Sequence, residues 1–338
     1  GLGGGGAGQL GGTAPSGVAN TGGGGGASAY NGASSYAGAG GSGVVLVRYL
    51  GGSASTGGTV NAGTGSATGY TLQTFNSSDT LAFNTLAATF SGVIDGPGSF
   101  VADPSARGKF TFTANNSYAG STTLSAGTLQ VGVGGLAGSL GALSAAVINN
   151  GTLIFNRSDA LSYSGLFSGT GALTVATGGL TLTGGATYTG LTTLSSTATA
   201  SSVTYTNSAV PSTSGFAGKG AVTIQPAANG TFSSAVNTNR YSLASTLTAL
   251  TLGSSTNTVA MTIGASINIA GPISIQGGSL VQGAGVSVLS NGNDITYTAS
   301  GGSYTSGIDY AISLGATSGT HSVINAGGGN ISLSCCDL

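Results

Sequence analysis

The chain has 338 residues, of which only 4% are charged: six Lys and Arg stand against seven Asp, with no Glu, and the formal net charge is −1. So few basic side chains cannot neutralise a run of phosphates, which excludes nucleic-acid binding. The scarcity of Glu, Lys and Arg argues against long solvent-exposed helices. No apolar run reaches the roughly 18–20 residues of a membrane-spanning helix.

Glycine contributes 66 residues, a content that is typical of disordered chains, but 39% of the residues are hydrophobic. A disordered segment lacks the apolar residues that would offset the loss of chain entropy on folding. Here those residues alternate with Thr and Ser at period two, which predicts half-buried β-strands. We therefore predict an all-β protein. Because the chain starts at Gly1, without Met or a signal peptide, we also expect it to be a trimmed part of something longer.

Residues 1–51 form a glycine-rich segment that ends in a strand, Val44–Leu50. The glycine tract, residues 1–43, is compatible with a flexible tether and equally with packed helices of the polyproline II type. A glycine tract followed by Gly-Ser-Gly-Val-Val-Leu-Val-Arg-Tyr resembles the glycine-rich modules of bacterial surface proteins and phage tail adhesins. Tyr30 and Tyr36 stand among small residues there, and tyrosine contacts partners with little loss of entropy. Both are candidate surface-contact residues.

Residues 52–91 are predicted to be a cap or the first coils. Tyr70–Phe75 and Thr80–Leu86 alternate apolar and polar residues, as half-buried strands do. Turn-forming residues 76–79 separate the two strands.

Residues 92–200 contain two copies of one sequence, at 92–132 and 164–196. Gly96-Pro-Gly-Ser-Phe corresponds to Gly169-Thr-Gly-Ala-Leu, and Tyr118-Ala-Gly-Ser-Thr-Thr-Leu corresponds to Tyr188-Thr-Gly-Leu-Thr-Thr-Leu. Internal repetition of strands and turns predicts a solenoid, in which coils are added along one axis. The side chains predicted to point inward are Phe110, Phe112, Leu124, Leu129 and Val131 in the first copy, and Leu173, Val175, Leu180, Leu182 and Leu194 in the second.

The first copy has three more residues than the second, and the surplus falls in the charged stretch Asp103–Lys109. Insertions in repeat proteins occur in loops, so this stretch is predicted to protrude. Asp103, Arg107 and Lys109 are therefore candidate surface-contact residues. Asn115–Asn116 and Asn149–Asn150 are candidates for amide ladders at coil corners, the alternative being ordinary turn chemistry.

The shared pattern, Gly-x-Gly followed by alternating strands, Tyr-x-Gly-x-Thr and Gly-x-Leu, resembles the autotransporter-associated β-strand repeat over about 75 residues. The resemblance implies a right-handed parallel β-helix, or β-solenoid, in a secreted passenger domain. Residues 201–338, predicted to be divergent coils, keep the alternation in many short phrases. Gly-Pro-Ile-Ser-Ile-Gln (271–276) and Asn330-Ile-Ser-Leu resemble filamentous-haemagglutinin-like adhesins, which have the same fold.

The sequence offers little catalytic chemistry, and no catalytic, cofactor-binding or metal-binding residue is predicted. Glycoside hydrolysis needs two placed carboxylates, and only Asp95 and Asp103 lie close together near basic residues. His321 is the sole histidine, and no nucleophile elbow flanks it. Cys335 and Cys336 are adjacent, so they rarely pair with each other. An intermolecular disulfide, a metal role and two small apolar residues are the alternatives.

We therefore expect a non-enzymatic, extracellular structural or adhesive protein of a bacterial surface, serving as stalk, fibre or matrix subunit. Its expected partners are further copies of itself and a host-surface or glycan ligand, without a cofactor. A phage tail fibre or tip adhesin is the second hypothesis. A β-helix enzyme acting on polysaccharide is the third, and it rests on fold analogy alone.

Overall fold

The computed structural model describes residues 4–30, 35–43, 45–50, 55–56, 58–62, 70–75, 82–83, 87–102, 108–195, 201–300, 312–317 and 320–335. Across these residues the regular structure is β-strand, with a short 3₁₀ helix at Thr238–Arg240. Most strand pairs are parallel and join residues about one coil apart in sequence. This arrangement confirms the predicted all-β parallel solenoid.

The glycine-rich segment consists of extended stretches linked by backbone hydrogen bonds. Gly6 N donates to Gly24 O at 2.8 Å, and Gly41 N donates to Gly23 O at 2.7 Å. A Cβ on Gly25 would overlap with the carbonyl of Gly38, so glycine is what allows this close approach. The described stretches of the segment thus lie close together, and packing of the polyproline II type stays a prediction. The short strands of the segment are β1 Gln9–Leu10, β2 Gly12–Thr13, β3 Ser28–Ala29 and β4 Ser35–Tyr36.

Antiparallel pairs follow the glycine-rich segment. They are built from β5 Val45–Leu50, β6 Ser55–Thr56, β7 Thr59–Ala62, β8 Tyr70–Phe75 and β9 Ala82–Phe83. Strand β8 pairs with both β5 and β7, and β6 pairs with β9. That residues 52–91 are a cap or the first coils stays a prediction. The predicted boundary after residue 51 passes between β5 and β8, which are two strands of one sheet.

The solenoid begins at residue 87, and parallel pairing runs through it to residue 335. Its strands are β10 Ala87–Phe90, β11 Phe100–Ala102, β12 Lys109–Phe112, β13 Thr122–Leu124, β14 Thr128–Val131, β15 Val147–Asn149, β16 Thr152–Tyr163, β17 Phe167–Ser168, β18 Ala172–Leu182, β19 Thr192–Ser195, β20 Ser201–Thr206, β21 Gly215–Gln225, β22 Val236–Asn237, β23 Ser242–Leu243, β24 Ala249–Leu252, β25 Met261–Ile263, β26 Ile267–Asn268, β27 Ile273–Gly277, β28 Leu280–Gln282, β29 Ser287–Leu289, β30 Ile295–Ala299, β31 Ile312–Leu314, β32 Ala316–Thr317, β33 Thr320–His321, β34 Val323–Asn325 and β35 Ile331–Cys335. Eleven of these strands follow one another along the axis, from β10 to β35. Strands β32 and β33 form an antiparallel hairpin.

Three faces can be defined by which strands pair along the axis. The first face holds residues 87–90, 109–112, 128–131, 152–155, 172–175, 192–195 and 216–219. The second face holds residues 160–163, 179–182, 201–206, 220–225, 249–252, 273–277, 295–299 and 331–335. The third face holds residues 100–102, 122–124, 147–149 and 167–168. In the later coils, the sheets β22-β25-β28-β31 and β26-β29-β34 form the remaining sides of the solenoid.

The core is a continuous stack of inward side chains. All ten side chains that were predicted to point inward are buried, with relative exposures of 0–1%. At the early end, Phe90, Phe100 and Phe112 pack edge to face, with ring centroids 4.9–6.1 Å apart. Burying each large apolar side chain contributes about 1.5–3 kcal/mol, so the period-two alternation is sufficient to hold each coil.

The asparagine pairs do not form amide ladders. Asn116 accepts from Ile94 N at 2.9 Å and donates to Ser139 O at 2.7 Å, so it joins the backbone of the coils on either side. Asn149 donates to Ala172 O at 2.8 Å in the same manner. An amide at a corner is closer to unpaired backbone groups than to another amide, and it satisfies those first. An amide contact between coils does occur elsewhere, where Asn291 Nδ2 donates to Asn268 Oδ1 at 2.7 Å.

Candidate functional site

A shallow groove of about 510 Å³ crosses the starts of four successive strands on the first face, next to the third face. It is lined by backbone and by small or hydroxyl-bearing side chains: Gly108, Ala126, Gly127, Thr128, Asn150, Gly151, Thr152, Thr170, Gly171 and Ala172. It runs along the solenoid axis, because its lining residues recur coil after coil.

Stacked glycines keep the floor of this groove open. A Cβ on Gly151 would meet Gly127 O at 2.5 Å, and one on Gly171 would overlap with the carbonyl of Gly151. The backbone also bonds between coils here: Thr152 N donates to Gly127 O and Ala172 N donates to Gly151 O, both at 2.8 Å. Only residues without a side chain allow the coils to approach this closely at the corner.

The polar groups of the groove are neutral. Asn150 Oδ1 accepts from Thr170 N at 3.1 Å and from the Thr170 hydroxyl at 3.4 Å, which fixes the amide. Thr128 and Thr152 are register partners on adjacent coils, and both are partly exposed. Hydroxyl and amide groups on a stiff backbone suit a ligand that offers several hydrogen-bonding groups in a row.

Of the predicted charged loop, Lys109 borders the groove. It begins β12, is exposed, and is the register partner of Thr128. Its neighbour Gly108 lines the groove. Asp103 and Arg107 lie outside the described residues, so the predicted protrusion of this loop stays a prediction.

Tyr30 and Tyr36 form a separate exposed set in the glycine-rich segment. Their relative exposures are 76% and 63%, and Leu10 in the same segment is 71% exposed. Tyr36 is the register partner of Thr13 in the short β2-β4 pair. The predicted contact residues that the structure describes therefore fall in two parts of the chain: Tyr30 and Tyr36 in the glycine-rich segment, and Lys109 on the first face of the solenoid.

The repeat tyrosines are packing residues, as predicted for a corner position. Tyr118 and Tyr188 are 2% and 1% exposed, and each phenol oxygen lies 2.6 Å from the hydroxyl of the threonine four residues later. Burial raises the pKa of both tyrosines to about 12. A buried phenol is therefore kept neutral and hydrogen-bonded, which fixes the corner.

Sequence reasoning missed an ion pair of the solenoid in which the arginine is buried and the aspartate is partly exposed. Arg157 is buried and binds Asp159 through two hydrogen bonds of 2.7 and 2.8 Å. Its remaining donors reach Asn115 and the carbonyls of Leu136 and Gly138. The arginine thereby holds the loop between β14 and β15, and this hydrogen bonding lowers the pKa of Asp159. The sequence did offer a signal for this pair: Arg157 stands at a position of β16 that the apolar/polar alternation assigns to the inside.

The ionisable residues weighed for catalysis are placed as follows. Asp95 and His321 are exposed, while Asp103 lies outside the described residues. Cys335 is a free, exposed thiol at the end of β35. Within the described ranges, no three residues among His, Cys, Asp and Glu are grouped so that they could hold a metal ion. No helix in the described part of the chain is long and apolar enough to cross a membrane.

Fold and site together define a class: a parallel β-solenoid with a repeated module of strands and glycine-rich corners. Comparison with known proteins shows which families have sequences similar to this chain. Residues 108–131 match the family model described as the passenger-associated-transport-repeat. The chain is also 42% identical over 88 residues to the adhesin BmaC autotransporter of Brucella suis biovar 1 (strain 1330). Both confirm the resemblance to autotransporter passenger adhesins that the repeat predicted.

The extent of these matches is small. The 88 aligned residues are 26% of this chain and 2% of the relative, so the chain corresponds to a small part of that protein. No solved structure matches the chain. The resemblance of residues 201–338 to filamentous-haemagglutinin-like adhesins stays a prediction.

Proposed function

We propose that the chain is part of a non-enzymatic adhesive protein on the outer surface of a bacterium, with the solenoid as its stalk. The observation that carries this proposal is the passenger-type repeat at residues 108–131 inside a parallel stack of eleven strands. The relative with 42% identity is named as an adhesin and an autotransporter. A stalk of this kind needs no fixed length, because each coil contacts mainly its neighbours.

Two of the three described carboxylates are bonded to other residues, which supports a non-enzymatic role, and the third, Asp95, is exposed. Asp159 is engaged by Arg157. Asp294 accepts from Asn330 N at 2.8 Å and from Asn330 Nδ2 at 3.2 Å. A glycosidase would instead need two carboxyl groups free to face a substrate.

The groove of the first face, with Lys109 at its border, is our candidate for binding a glycan of a host surface. Its threonine hydroxyls and the Asn150 amide offer hydrogen bonds along the axis, as an extended chain of sugars would require. Asp103 and Arg107 precede this groove in sequence and belong to the same proposed contact. Tyr30 and Tyr36 are a second candidate contact, since both rings are exposed.

Adherence of cells displaying the chain tests this function. A non-adherent laboratory bacterium carrying the chain on its surface should bind epithelial monolayers, and Lys109→Ala together with Thr152→Ala should weaken that binding. Lys219→Ala is the matched control, because Lys219 is also an exposed lysine on β21, away from the groove. Glycosidase treatment of the monolayer should reduce binding in parallel. Verified display without adherence above the empty strain would contradict the proposal.

Self-association into fibres or a matrix is part of the same proposal. A surface with so few charges opposes lateral contact only weakly. Electron micrographs of the purified chain should show rods or fibrils, and compact globular particles would contradict this part.

A further inference from the structure

The second face carries an unbroken row of hydroxyl side chains that the proposed function does not use. Strand pairing places one outward-facing Ser or Thr on each of eight successive coils, directly above the one before it. The row, here called the hydroxyl ladder, consists of Ser162, Thr181, Thr204, Thr223, Thr251, Ser274, Thr296 and Ser332. From Thr181 onward the pairing has no register shift, so the spacing is that of the coils, about 4.8 Å.

The ladder is specific to this face. An outward column of the first face reads Thr111, Gln130, Ile154, Thr174 and Thr193. That of the third face reads Val101, Thr123, Ile148 and Ser168. Both columns are interrupted by large apolar residues, whereas the ladder is not. General enrichment of Ser and Thr in the chain therefore does not account for the ladder.

The side chains beside the ladder are small or neutral over most of its length. Beside it, on the same strands, lies a column of small residues formed by Ala160, Gly179, Ser202, Ala221 and Ala249. On its other side, about 6.6 Å along each strand, lie hydroxyl and amide side chains: Thr206, Gln225, Gln276, Thr298 and Ser334. The column of small residues continues on the later coils through Pro272, Asp294 and Asn330. Among the described residues of these columns the charge is that of Asp294, near the C-terminal end of the ladder, and its carboxylate accepts from Asn330 N and Nδ2.

The ladder is also rigid and has free hydrogen-bonding capacity. The residues that alternate with it point inward and are buried: Leu180 and Leu182, Val203 and Tyr205, Val222 and Ile224. The hydroxyls of Thr181, Thr204, Thr223, Thr251 and Thr296 bond no other residue in the described part of the chain. Each of these threonines also presents a methyl group, so the face combines regular hydroxyls with regular apolar spots.

A ligand that fits this face must be an uncharged, two-dimensional array of hydrogen-bonding groups with a repeat near the coil spacing. A charged partner would meet the Asp294 carboxylate at one end of the ladder, where Asn330 already donates two hydrogen bonds to it, and no charge within the ladder itself. A glycan has no aromatic ring in these columns on which to stack. A second copy of the chain would bury the hydroxyls against one another, and every hydroxyl left without a partner would oppose that contact.

From these observations we infer that the hydroxyl ladder binds ice. Water oxygens in hexagonal ice repeat at a spacing close to that between coils. Water held by successive threonine hydroxyls, with methyl groups between them, therefore joins the crystal lattice instead of the liquid. The absence of charge from the ladder itself matters, because a charged side chain orders water around itself and disturbs such a lattice. The inference is independent of the proposed adhesive function.

Ice affinity of the purified 338-residue chain tests the inference. The chain should be taken up into a slowly growing ice hemisphere and should slow recrystallisation in a frozen sucrose film. Thr223→Lys, in the middle of the ladder, should abolish most of both effects, while Thr223→Ser should keep them. Thr174→Lys is the matched control, since Thr174 is an outward threonine on β18 of the first face.

The comparison holds only for folded protein, so circular dichroism and the thermal midpoint are measured for every variant. Exclusion of the wild-type chain from ice would overturn the inference, as would equal loss of activity in Thr174→Lys and Thr223→Lys. A sedimenting dimer that Thr223→Lys dissociates, without ice uptake by the wild type, would assign the ladder to self-association and also overturn it. The adherence assay is unaffected by these results, because its variants lie on the first face.

Discussion

Tyr118 and Tyr188 hold the same position in two copies of one motif, yet they lie on different sides of the solenoid. Tyr118 precedes Thr122 on the third face, whereas Tyr188 precedes Thr192 on the first face. The rest of each copy is displaced in the same way. Phe110 and Phe112 lie on the first face, but their counterparts Leu180 and Leu182 lie on the second.

The local structure of the two copies is nevertheless the same. Gly96 and Gly169 have φ angles of +109° and +105°. Ala119 N donates to Gly96 O at 2.7 Å, and Thr189 N donates to Gly169 O at 3.0 Å. In each copy, therefore, the opening Gly-x-Gly lies directly beneath the Tyr-x-Gly of the same copy. The repeat is a module one coil long that can start on any face.

The tyrosine hydrogen bonds of the module are expected to contribute to stability. Tyr188→Phe removes the partner of Thr192 in a buried network that also includes Tyr205 and Thr213. Leaving buried polar groups unsatisfied should cost about 1–3 kcal/mol. The denaturant midpoint measures this loss, and Tyr36→Phe at an exposed position is the control, with no expected change. Equal midpoints for Tyr188→Phe and wild type would contradict the role of the network.

The glycine corner predicts a sharp contrast between two substitutions. Gly171→Ala places a methyl group against the backbone of Gly151 and should destabilise the solenoid by about 1–3 kcal/mol, as overpacking does. Gly98→Ala meets nothing within 4 Å and should be tolerated. Thermal unfolding followed by circular dichroism compares the two variants, and similar midpoints would show that the coils separate easily at this corner.

The Arg157–Asp159 pair predicts a loss of stability in acid. The pKa of Asp159 is lowered in the fold, chiefly by its hydrogen bond with Arg157. Its contribution is therefore present above the unfolded pKa of about 3.9 and is lost as pH falls through the folded value. The midpoint difference between wild type and Asp159→Asn should be present at neutral pH and vanish in strong acid. Asp95→Asn, at an exposed carboxylate, is the control substitution, and its midpoint at neutral pH should equal that of the wild type.

The buried tyrosines predict a loss of stability in alkali. Burial raises the pKa of Tyr118, Tyr188 and Tyr241 to about 12, against about 10 in the unfolded chain. The contribution of these neutral phenols to the free energy of unfolding is thus fully present below about pH 10. It declines as the pH rises through the pKa values of the folded protein. Phenolate absorbance should rise in two phases, the later one together with loss of the β-sheet circular dichroism signal. Ionisation of all tyrosines in one early phase would contradict the burial.

The sequence by itself determined the strands, the inward set and the parallel stacking. Alternation at period two is a local property, so Phe110, Leu129 and Leu173 were identifiable as core residues wherever their coil lay. The repeat likewise identified Tyr118 and Tyr188 as corner residues, and the surplus of three residues in the first copy is the difference between a 22-residue and a 19-residue step from the opening Gly to the Tyr.

Only the tertiary structure decided which residues share a face. Successive steps along the first face vary from 19 to 24 residues, as from Phe112 to Val131 and from Val131 to Phe155. The position of a residue around the solenoid axis therefore depends on the lengths of all preceding coils. Those lengths differ, and a local sequence pattern does not predict them. Because of these unequal steps, the second copy lies one face further around the axis than the first. Arg157 is likewise brought beneath the loop between β14 and β15, where it is buried. The same steps also align eight hydroxyl residues, scattered from Ser162 to Ser332 in the sequence, into one straight ladder.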